Sequence, residues 1–126
     1  MHFKPFNFIA TIVFADKEKI SAVFINLISN SLKYGNENGK TIIKLSEIVN
    51  RVLIQISDNG IGINKEQLPR LFERFYRVDS NRARIQGGSG LGLAIVKHIL
   101  EAHQQTISVK SEVNIGSTFS FTLDTV

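Results

Sequence analysis

The chain predicts an α+β, two-layer architecture with helices on one face of a largely antiparallel sheet, and three observations carry that prediction. Two segments space apolar residues three and four apart, Ile20, Val23, Phe24, Leu27 and Ile28 in the first and Leu91, Ala94, Ile95, Ile99 and Ala102 in the second, as one face of a helix requires. Four segments are β-prone, "KTIIKLSEI", "RVLIQIS", "TISVKSEV" and "STFSFTL", with the alternation or β-branched content of strands. Turn residues separate the strands in pairs: Val49-Asn50 joins the first two into a hairpin, and Asn114 to Gly116 lies between the last two.

Composition bounds the rest. With 126 residues, 43% hydrophobic and 21% charged, the chain fits one domain, 1–126, with a real core rather than a disordered segment. No repeat, low-complexity tract or linker divides it. It has no cysteine, which rules out disulfides and thiolate metal sites and suits a reducing compartment. The longest apolar stretch, "FNFIATIVFA", is broken by Asn7 and Thr11 and falls short of the ~20 residues of a membrane helix. "MHFKP" lacks the pattern of a secretory signal. A net charge of +4 fits a polyanionic ligand, a nucleic acid or no charged partner, so the position of the charges matters more than their sum.

In chain order, "TIVFA" (11 to 15) is β-prone, Asp16 supplies an N-cap, and the first helix runs to about Tyr34, where Gly35 ends it. After the hairpin, Asn64 with Gln67 forms a capping-box pattern for a short helix. Pro69 interrupts that helix before "LFERFYR" resumes helical character. From Asp79 to Gly90 the chain is polar, basic and glycine-rich, a long loop by composition.

Three stretches invite chemistry. Asn26, Asn30 and Lys33 fall within roughly 60° of one another beside the apolar stripe, with Tyr34 at its border. A solvated face is the plain alternative, but mid-helix Asn costs roughly half a kcal/mol or more against Ala, and Ser29 and Ser31 add to that cost. An amide oxygen can ligate Mg²⁺, an amide NH₂ can donate to phosphate, and Lys33 would offset phosphate charge. In "SDNGIGI", Asn-Gly after a strand signals a hairpin turn. Helical capping follows it instead of a return strand, so the glycines are read as letting backbone approach a ligand, with Asp58 presenting a carboxylate able to accept from an exocyclic amine and so select adenine over guanine. "GGSGLGLAIVK" runs glycines into a helix N-terminus that favours anions. Leu93 stands where a P-loop needs Lys and where the dinucleotide fingerprint needs its third glycine, so it is neither. Arg77, Arg82 and Arg84 upstream would bring guanidinium groups to a phosphate tail, or form an ordinary basic loop.

Taken in order, "NLISNSLKYG", "DNGIG", "LFERFYR", "GGSGLGLAIVK" and "GSTFSF" closely resemble the N box, first glycine box, phenylalanine box, second glycine box and last motif of the catalytic, ATP-binding domain of sensor histidine kinases. That family belongs to the gyrase, heat-shock chaperone, histidine kinase and mismatch-repair ATPase superfamily, and the resemblance covers nearly the whole chain. It implies the two-layer α/β sandwich of the Bergerat fold, with about three helices on one face of a mixed, largely antiparallel sheet of about five strands. A lid would span roughly residues 77 to 90. It further implies that Asn30 coordinates Mg²⁺, that Asn26 and Lys33 touch the phosphates of ATP, and that Tyr34 stacks near the adenine whose amine Asp58 accepts from. Gly60, Gly62, Gly88, Ser89, Gly90, Leu91 and Gly92 would shape the pocket, Thr118 would support Asp58 or a bridging water, and Phe72 and Phe75 would anchor the lid or pack in the core.

The resemblance also bears on the reaction. Superfamily members that hydrolyse ATP carry a Glu base at the position of Asn26, and none is present here. A site that activates water poorly can keep the γ-phosphate for a histidine on another domain. His98, on the apolar stripe, His103, near the helix end, and His2, in the N-terminal arm, lack the phosphoacceptor motif. The expected partners are therefore a phosphoacceptor and dimerisation domain upstream and, through it, a response regulator, with no nucleic acid and no direct membrane insertion. The expected setting is the cytoplasmic part of a membrane-anchored bacterial sensor kinase. An anti-sigma-factor-type serine kinase and a transfer-deficient ATP-binding module are the alternatives, and the phenylalanine box and long lid argue against the first.

Overall fold

Successive side chains on a strand point to opposite faces, and here one face is apolar. The computed structural model describes residues 13–35, 38–76 and 91–126, in which β1 (Thr41–Ile48), β2 (Arg51–Asp58), β3 (Ser108–Glu112) and β4 (Gly116–Asp124) form a sheet ordered β1-β2-β4-β3. Every neighbouring pair is antiparallel. The register sets Ile54 against Phe121 and Ile56 against Phe119, all four buried on the face that the helices cover.

The predicted hairpin forms, and Asn50 takes a φ of 61° at its turn, a left-handed position that Asn tolerates. Of the strand expected over residues 11 to 15, the described part is an antiparallel bridge between Val13 and Thr125, with the Phe14 N–H donating to the Asp124 carbonyl over 2.9 Å. No parallel pairing, as a mixed sheet requires, occurs among the described residues.

Helix α1 (Lys17–Tyr34) begins as its sequence predicts: Asp16 caps it, its side chain accepting from the Lys19 N–H at 3.0 Å. Ile20, Val23 and Leu27 then face the sheet, and the Phe24 ring meets Phe121 edge-on with 5.8 Å between centroids. Helix α2 (Gly92–Ala102) buries Val96, Ile99 and Leu100. Here the predicted stripe holds at Ile99 but not at Ile95, which is 44% exposed, nor at Ala102 and His98, both expected on the apolar side and both exposed. The run "LAIVKHIL" satisfies a three-four pattern in two overlapping ways, and packing against α1 and the sheet selects between them. His103 closes α2 and joins the helices, accepting from the Asp16 N–H through Nε2 at 3.0 Å while Nδ1 lies 2.8 Å from the Ile99 carbonyl. Those partners require the neutral Nδ1–H tautomer. His2 lies outside the described residues.

Residues 64 to 76 depart further from expectation. Lys65–Arg70 is a 3₁₀ segment, and Asn64 caps it with its backbone carbonyl, taking the Gln67 N–H at 3.0 Å, without the side-chain bond of a capping box. "LFERFY" continues as i to i+3 turns, Leu71 to Leu68, Glu73 to Arg70 and Tyr76 to Glu73, not as an α-helix. The Pro69 ring would clash with the carbonyl four residues back in an α-helix, so the tighter path is kept. Phe72 packs edge-on against Phe119 at 6.3 Å, at the edge of the core. Phe75 is 64% exposed with a φ of 65°, so among the described residues it anchors nothing.

Leu27 is fully buried at the contact of α1 with the sheet and α2. Leu27→Ala should cost about 2–5 kcal/mol, read from denaturant midpoints, whereas Ile25→Ala at a position 68% exposed should change stability by about 0.5 kcal/mol or less.

Candidate functional site

The site forms where the apolar rows of the sheet end. Two residues beyond Ile56, on the same face, β2 presents Asp58, and β4 presents Ser117 two residues before Phe119. Thr41 of β1 is the partner of Asp58 on its other side. Asp58 Oδ1 accepts the Gly60 N–H at 2.9 Å. Burial pushes this carboxyl above the usual carboxylate range, while the N–H groups of Gly60 and Ser117 and the Ser31 hydroxyl, which favour the charged form, hold the rise in check. An ionised carboxylate offers about four acceptor directions, and those three donors leave one for an outside donor.

The loop after Asp58 is gripped on both sides. Ile61 donates to the Tyr34 carbonyl at the end of α1 over 3.0 Å, and Asn114, in the β3–β4 turn, donates to the Ile61 carbonyl over 2.8 Å. A β-carbon on Gly60 would strike the Tyr34 carbonyl, and one on Gly62, whose φ is 73°, would strike the Glu112 carbonyl. These glycines were expected to let backbone approach a ligand. They instead admit the chain's own backbone, and they shape the site by fixing the loop that carries Asp58. Asn59 adds a tether from its Oδ1 to the Lys40 N–H at 2.7 Å.

On α1, Asn26, Asn30 and Lys33 share one half-buried flank. Asn26 donates through Nδ2 to the Ala22 carbonyl at 2.8 Å, and its Oδ1 faces Gly92, where a β-carbon would come within 2.9 Å. The first turn of α2 therefore lies directly on Asn26. Leu91, in front of that turn, offers no side-chain cap. Asn30 and Lys33 make no side-chain hydrogen bond or ion pair among the described residues. Tyr34 is half-buried at the helix end, its carbonyl holding the glycine loop. One flank thus carries two amides and an ammonium, of which Asn26 meets the N-terminus of α2, and the end of the same helix meets the Asp58 loop.

Thr118 does not join them. Its Oγ1 pairs with Ser57 Oγ at 2.9 Å, and both belong to the face away from the helices, because Ser57 and Thr118 are one residue out of phase with Asp58 and Ser117. The support expected from Thr118 comes instead from Ser117, whose hydroxyl lies 2.7 Å from Ser111 Oγ; Ser111 Oγ in turn accepts the Ile63 N–H at 2.8 Å. Ser31, read from the sequence only as a cost to the helix, is 3% exposed and bonded to Thr41 Oγ1 at 2.8 Å. A signal was available for each: Ser31 continues the buried row Val23 and Leu27 at four-residue steps, and the alternation of Phe119 and Phe121 puts Ser117 inside and Thr118 outside. Arg77, Arg82, Arg84, Gly88, Ser89 and Gly90 lie outside the described residues.

Residues 15–126 match the family of histidine kinase-, DNA gyrase B- and HSP90-like ATPases. The chain belongs to that family. Among curated relatives, the sensor protein kinase WalK of Staphylococcus aureus is 44% identical over 110 residues, covering 86% of this chain and 26% of that protein. A longer form, from strain Newman, is covered over 18% of its length, so the chain spans about a quarter or less of these relatives. Among solved structures, the mycobacterial sensor histidine kinase MprB aligns with a TM-score of 0.79 and 27% identity over 90% of this chain and 76% of that one. The catalytic domain of the histidine kinase ThkA, nucleotide-free, aligns with a TM-score of 0.76 and 29% identity over 89% and 70%. Full-length ShkA in complex with AMPPNP aligns with a TM-score of 0.78 and 28% identity over 93% and 24%. As a histidine kinase-like ATPase domain, the chain has the two-layer sandwich of these neighbours, with α1, α2 and the 3₁₀ segment on one face of the sheet. No helix among the described residues is long and apolar enough to cross a membrane.

Because the folded protein holds the Asp58 proton more tightly than the unfolded chain does, this group lowers stability as pH rises from the ordinary carboxylate value through the raised one. Relative to Asp58→Asn, the parent should therefore lose stability across that acidic window and stay level above it. Denaturant titrations of both proteins at a series of pH values check the sign.

Proposed function

We propose that this chain binds Mg-ATP between α1, the Asp58 loop and the N-terminus of α2, and transfers the γ-phosphate to a histidine on a separate phosphoacceptor domain, in two-component signalling. The observation that carries the reading is the Asn30 amide, half-buried in mid-helix and without a side-chain partner among the described residues, an arrangement that costs stability unless a ligand completes it.

The residues present fit the nucleotide. Asp58 has an acceptor direction to spare for the adenine amine, Lys33 supplies a cation with no ion pair among the described residues, and the first turn of α2, which the Leu91 side chain does not cap, favours an anion. Magnesium fits as a cation shared with the phosphates, because Mg²⁺ often binds through few protein ligands plus phosphate oxygens. Asn30 would contribute its amide oxygen. When bound, the metal would neutralise charge that builds on the phosphoryl oxygens.

The residues of the chain then position and restrain. Asp58 fixes the purine, and through it the line along which the triphosphate extends toward α1. Asn26, a neutral amide tied to the Ala22 carbonyl, cannot take a proton from water as a carboxylate could. Lys33 holds negative charge in place. A γ-phosphate held in this way is available to an in-line nucleophile from outside, and positioning supplies most of the barrier reduction in phosphoryl transfer. The acceptor histidine is assigned to another domain: His103 is engaged at both ring nitrogens within the fold. The relatives, sensor kinases longer than this chain, support a phosphoacceptor domain and a response regulator as partners and a membrane-anchored setting for the whole protein.

Mixing the chain with a separately produced phosphoacceptor domain of a WalK-type kinase and γ-labelled ATP should yield acid-labile phosphohistidine on that domain. Acid-stable phosphoserine on a small partner would favour the serine kinase alternative, and nucleotide binding without transfer to any acceptor would reduce the chain to a binding module. Asn30→Ala should slightly raise the unfolding midpoint of the free protein but remove most of the gain in ADP affinity that Mg²⁺ gives, a loss of roughly tenfold or more, equivalent to about 1.4 kcal/mol, measured by calorimetry with and without the metal.

A further inference from the structure

We propose that Ser31 is a positioning residue for base selection: it aims the Asp58 carboxylate at the purine amine, and adenine preference depends on its hydroxyl. The proposal rests on the reading of Asp58 as the acceptor of that amine.

Ser31 is out of place by ordinary packing rules. It occupies the next four-residue step of the buried row formed by Val23 and Leu27, where an apolar side chain or Ala would serve the helix better. A hydroxyl buried to 3% exposure persists only if hydrogen-bonded, and Ser31 has two partners: Thr41 Oγ1 at 2.8 Å and the Asp58 carboxylate. An ionised carboxylate only accepts, so the Ser31 proton goes to Asp58. The Ser31 oxygen is then left to accept from Thr41, and the chain of donors runs in one direction, Thr41 to Ser31 to Asp58.

The placement of the three is equally specific. Thr41 is the β1 residue directly paired with Asp58 in the sheet, and Ser117 is its β4 partner, so Asp58 has a hydroxyl residue on each side and Ser31 of α1 as a third. A terminal carboxylate torsion is broad and two-fold when nothing holds it. Gly60 restrains one oxygen through its N–H. Ser31 is the one side chain of α1 that reaches the carboxylate, and it directly follows Asn30. A single turn of α1 therefore fixes the amide assigned to the metal and the carboxylate assigned to the base, and the two ends of the nucleotide are measured from one rigid element.

The test compares ADP with purine riboside 5′-diphosphate, which lacks the 6-amino group, by calorimetry on the parent and on Ser31→Ala. Thermal unfolding without nucleotide verifies that the variant is folded, as a Ser to Ala change inside a helix favours. The parent should prefer ADP. In Ser31→Ala, ADP affinity should fall by roughly tenfold toward that of the deaminated ligand, whose own affinity stays unchanged. If the parent discriminates but the variant loses affinity for both ligands equally, Ser31 is merely structural and the proposal is overturned while the Asp58 reading stands. If the parent binds both ligands equally, the Asp58 reading fails and takes the proposal with it.

Discussion

The carboxylate of Asp58 stands where the hydrophobic interior stops. Antiparallel pairing of β2 with β4 lines up Ile54 with Phe121 and Ile56 with Phe119, and the same two-residue step carries the inner face on to Asp58 and Ser117. The apolar layer beneath the helices thus fixes the height and direction of the acidic group proposed to read the base, and burial beside that layer raises its proton affinity. Donors from three directions offset the penalty, so the group remains usable as an acceptor. Had β2 slipped by one residue against β4, Ser57 would face the helices and the site would lose its acid.

Helix α1 supplies the opposite wall and joins three tasks in one element. Its buried row, Ile20, Val23 and Leu27, holds it to the sheet and to α2. Its half-buried polar flank carries Asn26, Asn30 and Lys33, the residues proposed to meet a phosphate chain. At its C-terminal end the Tyr34 carbonyl takes the Ile61 N–H, a bond that both satisfies an end group of the helix and locks the loop after Asp58. Distances across the site are set by backbone contacts rather than by long flexible side chains, as a positioning catalyst requires.

The glycines of the loop illustrate how shape is enforced. Gly60 lies against α1, Gly62 against β3, and Gly116, with a φ of 140°, against the Asp58 carbonyl. In each case one backbone occupies the space that a β-carbon would need. The loop is wedged between the helix and the β3–β4 turn, and Ser111 ties it further by accepting the Ile63 N–H while meeting Ser117. A glycine-rich segment that looks permissive in isolation is therefore one of the more constrained parts of the fold.

Much of this was legible in the amino-acid order, because local periodicity and turn chemistry act over a few residues. The cap at Asp16, the hairpin at Asn50, the amphipathic α1 with its amide-bearing flank, and Asp58 at a strand end all follow from neighbours in sequence. The tertiary structure decided what such rules leave degenerate. It chose Val96 over Ile95 as the inner side of α2, kept residues 64 to 76 as 3₁₀ and simple turns, put Ser117 inside and Thr118 outside, and made Ser31 a partner of Asp58. It also turned the glycines toward the protein's own backbone. Each of these depends on which distant segment lies across the interface, and pairwise contact between segments far apart in the chain carries no signature in the spacing of either one alone.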